Sequence, residues 1–199
     1  MTIAIYLAHL NPVTKSHVEI IEELKKENQI RVMPVIFMKE EKEINTRGFP
    51  FNFEIRKEMI QSVFGDSIMV LSNYTFYAPF VKYLPPLFSS YSWKLKKQVL
   101  DGISDDYFTY TGSKSEGLIL RLYGLHPKVG KRKEISASFV RNKMYEAARG
   151  GDTDWEKYVP SGVSKIIKKN WDVIKKYCDS EDQIHKISGM KFPDDGFQK

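Results

Sequence analysis

Apolar positions along the chain fall into two alternating rhythms. Ile3, Ile5, Leu7 and Ala8 lie in a short run, IAIYLA, of the kind that fills a buried parallel strand. Past Pro12, which punctuates the connection, Val18, Ile21 and Leu24, with Ile20 less regularly, recur at helical spacing. Thr14 or Ser16 can cap this helix, and Glu19, three residues after Ser16, fits a capping box. Ile30–Phe37 reads as a second buried strand, with Pro34 pointing to an edge position or a bulge. The charged stretch 38–50 reads as a mobile surface loop. Helical spacing returns over Asn52–Phe64 through Ile55, Met59, Ile60 and Val63, with Arg56 and Lys57 on other faces. Ser67–Leu71 supplies a third strand. This alternation predicts an α/β fold, a parallel sheet flanked by helices.

Farther on the rhythm breaks. Residues 72–104 are an irregular, aromatic insert holding Tyr74, Phe76, Tyr77, Phe80, Tyr83, Phe88, Tyr91 and Trp93 around Pro85-Pro86. Such a concentration can line a substrate pocket beside the sheet, or form a small core of its own or a subunit interface. Trp93–Leu100 reads as helix. Tyr107–Thr111 is a fourth strand ending at Gly112, which can let the backbone approach a ligand or simply turn the chain. A helix through Leu118, Leu120, Leu122 and Tyr123 follows, and Pro127–Val129 is a fifth strand or a connection. Pro160 and Ser161 open a terminal helix that Trp155 and Val159 hold to the domain. One domain over 1–178 and an irregular tail over 179–199 are expected.

Composition narrows the class. With 199 residues, 42% hydrophobic and 28% charged, the chain can build one substantial core and is not a disordered protein. A single cysteine, Cys178, excludes an intrachain disulfide framework and suits a reducing compartment, so a cytoplasmic location is expected. The apolar start reads as the first strand rather than a signal peptide, and no apolar run is long enough for a membrane span. A net charge of +6 suits polyanionic ligands or a solvated basic surface. No RNP, KH, zinc-finger or helix-turn-helix signature appears, so nucleic acid is not the expected partner. His126 and His185 have no metal-ligand spacing with each other or with Cys178, and no protein-held metal is expected.

Two stretches carry chemistry. The start of the first helix, just past a strand, offers unpaired N–H groups to an anion, with His17 in its first turn and Thr14 three residues earlier. His9, after the first strand, can reach the same anion or be a partly buried loop residue. In the second stretch, 131–141, Ser136 caps a helix running through Val140, Met144 and Ala148. The hydroxyls of Ser136 and Ser138 and the guanidinium of Arg141 can converge on phosphate oxygens there.

Residues 11–17, NPVTKSH, resemble the first signature of the nucleotidylyltransferase superfamily, which is related to class I aminoacyl-tRNA synthetases. There a proline and any one residue precede His or Thr, any residue, Gly and His. Thr14 and His17 match, Ser16 stands in the glycine position, and Ala8 and His9 stand where the family carries a glycine. Residues 135–141, ISASFVR, match every defining position of the second motif, Ile-Ser-any-Thr/Ser-any-Ile/Val-Arg. Trp155–Pro160, followed by Val163, Ile166 and Ile167, is similar to archaeal-type nicotinamide-mononucleotide adenylyltransferases, as is the stretch Pro50–Ile60.

The resemblance implies a Rossmann-like fold and transfer of a nucleoside monophosphate, AMP from ATP first, to a phosphate-bearing acceptor such as nicotinamide mononucleotide. His17, Thr14 and Arg141 would be catalytic. Ser136 and Ser138 would hold phosphates, with His9 and Ser16 near them, while Thr111, Gly112 and Ser113 would approach base and ribose. Mg2+ would neutralise the triphosphate of ATP or CTP. A phosphopantetheine adenylyltransferase or cytidylyltransferase-like enzyme is the alternative substrate reading. The substitutions at Ala8 and Ser16 keep open a nucleotide-binding protein of this fold without catalysis. A homo-oligomer is compatible with the family.

Overall fold

The computed structural model describes residues 2–104, 106–131, 133–151, 154–187 and 190–197. Strand β1 (Ile3–Ala8) feeds helix α1 (Lys15–Lys25), and β2 (Gln29–Pro34), β3 (Ile36–Lys39) and β4 (Lys42–Glu43) precede α2 (Phe53–Phe64). Then come β5 (Met69–Val70), β6 (Thr75–Tyr77), α3 (Ser90–Val99), β7 (Tyr107–Thr111), α4 (Lys114–Leu122) and β8 (Pro127–Val129). Helices α5 (Ala137–Ala148), α6 (Ser161–Lys169) and α7 (Trp171–Tyr177) lead to a hairpin of β9 (Ile184–Ile187) and β10 (Met190–Pro193).

The main sheet has the order β5-β2-β1-β7-β8, with every pairing parallel, and helices cover it. The expected α/β architecture is the one observed. Strand β1 is central, and its residues divide between two cores. Ala4 and Tyr6 pack with residues of α1, α2, α5 and α6, whereas Ile3, Ile5 and Leu7 pack with the aromatic insert, α4 and the C-terminal hairpin. A strand buried on both faces must be apolar nearly throughout, which is why IAIYLA does not alternate. Chain order reverses at β1, so the carboxyl ends of β1 and β7 flank the crevice where open α/β sheets bind ligands.

Several local expectations are corrected. The run Ile30–Phe37 is two strands, because Pro34 ends β2 inside the main sheet and β3 enters a second sheet, β4-β3-β6. Residues 38–50 are no plain loop. They contain a tight β3–β4 hairpin turned by Glu40 and Glu41, both at positive φ, and they bury Phe49. Arg56 is buried, since it lies one helical turn before Met59 and Ile60 on the core side of α2. Thr14 alone caps α1, and the third residue of its capping box is His17, while Glu19 instead pairs with Lys133 at 3.5 Å.

The described part of the tail is not irregular but pairs β9 with β10. Phe192 on β10 meets Phe37, Phe76 and Phe80 with ring centroids 5.3–5.5 Å apart, so the insert and the tail share one aromatic core. No helix among the described residues is long and apolar enough to cross a membrane.

Candidate active site at the ends of β1 and β7

The loop joining β1 to α1 is held from three directions. Asn11 is buried, and its side-chain amide donates to the Phe51 carbonyl at 2.8 Å while accepting the Phe51 N–H at 3.1 Å. Arg56 donates to the carbonyls of His9 at 2.9 Å and Val35 at 2.7 Å, and to the Glu43 carboxylate at 2.8 Å. Burial pulls the Glu43 carboxyl upward, opposed by Arg56 and by the Phe53 N–H. Arg141, from α5, donates to the Asn11 carbonyl and, at 3.0 Å, to the Ser138 hydroxyl. The second motif is therefore bonded to the first through one guanidinium, and Ser138 orients it. Burial lowers the pKa of Arg141, yet an arginine stays charged across the working range.

His17 is locked by its own helix cap. The Thr14 N–H donates to Nδ1 at 3.0 Å, and the Thr14 hydroxyl accepts the His17 N–H at 3.4 Å. A backbone N–H can only donate, so Nδ1 is the acceptor and the ring proton resides on Nε2. Burial, helped by the nearby positive charge of Arg141, lowers the His17 pKa to about 4. The imidazole is thus a neutral donor at physiological pH. Ser16 is buried in the same turn. Ser136 caps α5 by accepting the Phe139 N–H at 3.2 Å. Neither α1 nor α5 has an acidic residue in its first turn, so the positive ends of both helices are left uncompensated by side chains.

His9 behaves differently. Its ring stacks on Phe49 with centroids 4.6 Å apart, and its buried Nδ1 has no hydrogen-bond partner among the described residues. Burial first, then Arg56, Arg141 and Lys191, lower its pKa to about 3. At the end of β7, the buried Thr111 hydroxyl donates to Glu116 and accepts the Ser113 N–H at 3.1 Å, which turns it inward. Ser113 caps α4, and a Cβ at Gly112 would project into open space.

The structure thus forms two hydrogen-bonded pairs, Thr14–His17 and Ser138–Arg141, the second tied to the first pair's loop at the Asn11 carbonyl, with Ser136 at the head of α5. Thr111, Gly112 and Ser113 stand at the neighbouring strand end. Sequence reasoning passed over Asn11, Arg56 and Glu116. Of these only Arg56 carried a signal, its spacing of three and four residues from Met59 and Ile60. Among the described residues no group of three or more His, Cys, Asp or Glu is placed to hold a metal.

No family model matches the sequence, and no curated relative is similar to it in sequence. Solved structures do resemble it. A bifunctional NMN adenylyltransferase/ADP ribose pyrophosphatase from Francisella tularensis superposes with a TM-score of 0.64 at 17% identity, over 89% of this chain and 52% of that one. The same kind of enzyme from that organism, complexed with AMP and a manganese ion, gives 0.55 at 17% identity over 87% and 54%. A Vibrio parahaemolyticus protein described as a nicotinate-nucleotide adenylyltransferase gives 0.56 at 15% identity, over 89% of this chain and 97% of that one. The chain has an adenylyltransferase-like fold. It spans about half the length of the two Francisella structures.

Proposed function

We propose that this protein is a nucleotidylyltransferase that moves a nucleoside monophosphate, AMP from ATP first, onto a phosphate-bearing acceptor such as nicotinamide mononucleotide. The observation that carries this reading is that Arg141, held by Ser138, bonds the Asn11 carbonyl of the same loop that carries the Thr14–His17 pair, beside the crevice where sheet order reverses. A phosphate oxygen of the acceptor attacks the α-phosphorus, the bond from that phosphorus to the bridging oxygen breaks, and pyrophosphate leaves with the electron pair. Such a transfer needs alignment and positive charge rather than a covalent protein intermediate.

His17 donates from Nε2 to the α–β phosphate region, with Thr14 fixing its tautomer. Arg141, placed by Ser138 and Asn11, adds charge, and Ser136 and the head of α5 hold the outer phosphates. Thr111, Gly112 and Ser113 face base and ribose through backbone, since the Thr111 hydroxyl is engaged by Glu116. With no carboxylate cluster among the described residues, the donor set fits Mg2+ carried by the triphosphate and water rather than by protein ligands. Bound so, the ion neutralises phosphate charge. A cytidylyl or phosphopantetheine variant of the reaction uses the same parts.

The test is pyrophosphate release with Mg2+, scanning ATP, CTP, GTP and UTP against nicotinamide mononucleotide, phosphopantetheine, choline phosphate and glycerol phosphate. Turnover with one pair, lost in a folded His17→Ala variant, is the expected result. Ser16, buried in the first turn of α1, favours a second reading, nucleotide binding without transfer. A nucleotide-dependent rise in Tm with no turnover across the panel would select it.

A further inference from the structure

The third residue of helix α4 departs from the usual capping pattern. Ser113 caps the helix by accepting the Glu116 N–H at 3.3 Å. In a capping box the third-position carboxylate then accepts the N–H of the cap residue itself. Here the Ser113 N–H goes instead to the Thr111 hydroxyl, at 3.1 Å. The Glu116 carboxylate is bonded elsewhere, one oxygen to the Thr111 hydroxyl and the other to the Tyr74 hydroxyl, which donates at 3.2 Å. A relay therefore runs from the Ser113 N–H through Thr111 and Glu116 to Tyr74.

Tyr74 anchors the far end. It is buried, meets Phe76 edge-on with ring centroids 5.2 Å apart, and touches Met190 Sδ at 3.8 Å, so it belongs to the core that insert and tail share. Glu116 is half-buried, and no cation among the described residues pairs with it. Burial pulls its carboxyl upward, opposed by the hydroxyls of Thr111 and Tyr74. A desolvated carboxylate without a cation is a costly fastening for a helix that Ser113 already caps. What it secures is the turn. Gly112 is exposed there, between two residues whose hydroxyls are both engaged.

We propose that Glu116 is a positioning residue for nucleotide binding, through which Tyr74 holds the 111–113 turn in the form that receives base and ribose. The inference rests on the transfer reading, which sets the nucleotide at that turn. It gives the aromatic insert a role in a site to which none of its residues belongs.

The experiment is calorimetric titration of the full chain with ATP, CTP, GTP and UTP in turn, with Mg2+, the variants then being compared on the tightest binder. Tyr74→Phe, which removes one hydroxyl, and Glu116→Ala should each weaken binding about tenfold, as for one strong hydrogen bond lost. Glu116→Gln, whose amide oxygen still accepts a hydroxyl, should recover part of the loss. The double variant Tyr74→Phe with Glu116→Ala should bind no worse than Glu116→Ala alone, because both cut one path. Phe76→Leu loosens the same core without touching the relay, and its affinity should match the wild type.

Unchanged affinity in both single variants, losses that add in the double variant, or an equal loss in Phe76→Leu would each overturn the inference and leave the transfer reading intact. A wild-type chain that binds none of the four nucleotides would overturn both.

Discussion

The two regions flanking β1 are held together by different physics. At its carboxyl end, residues 9–17 are fixed by directed bonds from Arg56, Asn11 and Arg141, each aimed at a single carbonyl or amide. Beside it, Phe37, Phe76, Phe80 and Phe192 meet ring to ring, with centroids 5.3–5.8 Å apart and a range of tilts. A directed bond is intolerant of displacement, and a buried charge left without its partner is costly. Ring packing is collective, and each contact is individually weak. The first arrangement suits a loop that must place a donor against a phosphate. The second suits a wall that only has to exclude water.

The comparison is broken most severely at Arg56. Replacing it with Met strands the buried Glu43 carboxylate and frees the His9 and Val35 carbonyls, and should cost about 3–5 kcal/mol in urea unfolding. Adding Glu43→Gln should recover part of that loss, because the stranded charge is removed. Truncating the aromatic side, Phe192→Ala, should cost about 3 kcal/mol, the low end for a buried phenylalanine. Phe192→Leu keeps most of the volume and should lose less than half as much. In neither Phe192 variant should pyrophosphate release change in kcat while the protein is folded.

These two regions also differ in how they could be read from sequence. The loop announced itself, because proline punctuation, a capping hydroxyl and a histidine at fixed spacing each have a local physical reason. Strand β7 was legible from end to end, since YFTYT is a β-branched and aromatic run closed by Gly112. Arg56 was misplaced because a charged residue on a core stripe becomes sensible only once Glu43 and two distant carbonyls are beside it. The tail was illegible for a similar reason. Phe192 and Phe197 have no periodic neighbours, and their partners Phe37 and Phe80 lie more than a hundred residues away. Asn11 carried no local signal, and its role comes from pairing its side-chain amide with Phe51 across the loop.

Two substitutions sharpen the polar side alone. His17→Ala should lower kcat for pyrophosphate release about 100-fold, the effect of losing one preorganised donor to a developing charge, or about 2.7 kcal/mol. Its unfolding free energy should fall by only about 1 kcal/mol, the value of a helix cap. Equal losses in turnover and stability would mean that His17 serves the fold and not the reaction. Ser136→Ala removes the cap of α5 and should likewise cost about 1 kcal/mol. If Ser136 also touches phosphate, KM for the nucleotide rises in that variant; an unchanged KM confines the residue to capping.

Protonation separates the regions last and most finely. His17 and His9 are pulled to about 4 and about 3 in the folded chain, chiefly by burial, while an unfolded histidine titrates near about 6.5. Between these limits the unfolded chain binds protons that the folded one does not, so stability falls as pH drops below about 6.5 and stops responding to these groups above it. Urea midpoints should follow that curve, and His17→Ala should flatten part of it. Turnover should hardly move over the same interval, because Nδ1 keeps accepting from the Thr14 N–H and the proton on Nε2 stays in place. A charged imidazolium would act in the opposite sense, losing its proton, and kcat with it, as pH rises through about 6.5. A level kcat from about pH 5.5 to 8, measured beside an acid-sensitive urea midpoint, is what a neutral, cap-locked donor requires. A tenfold fall in kcat per pH unit above that value would assign His17 a charge and remove the cap as the device that sets its chemistry.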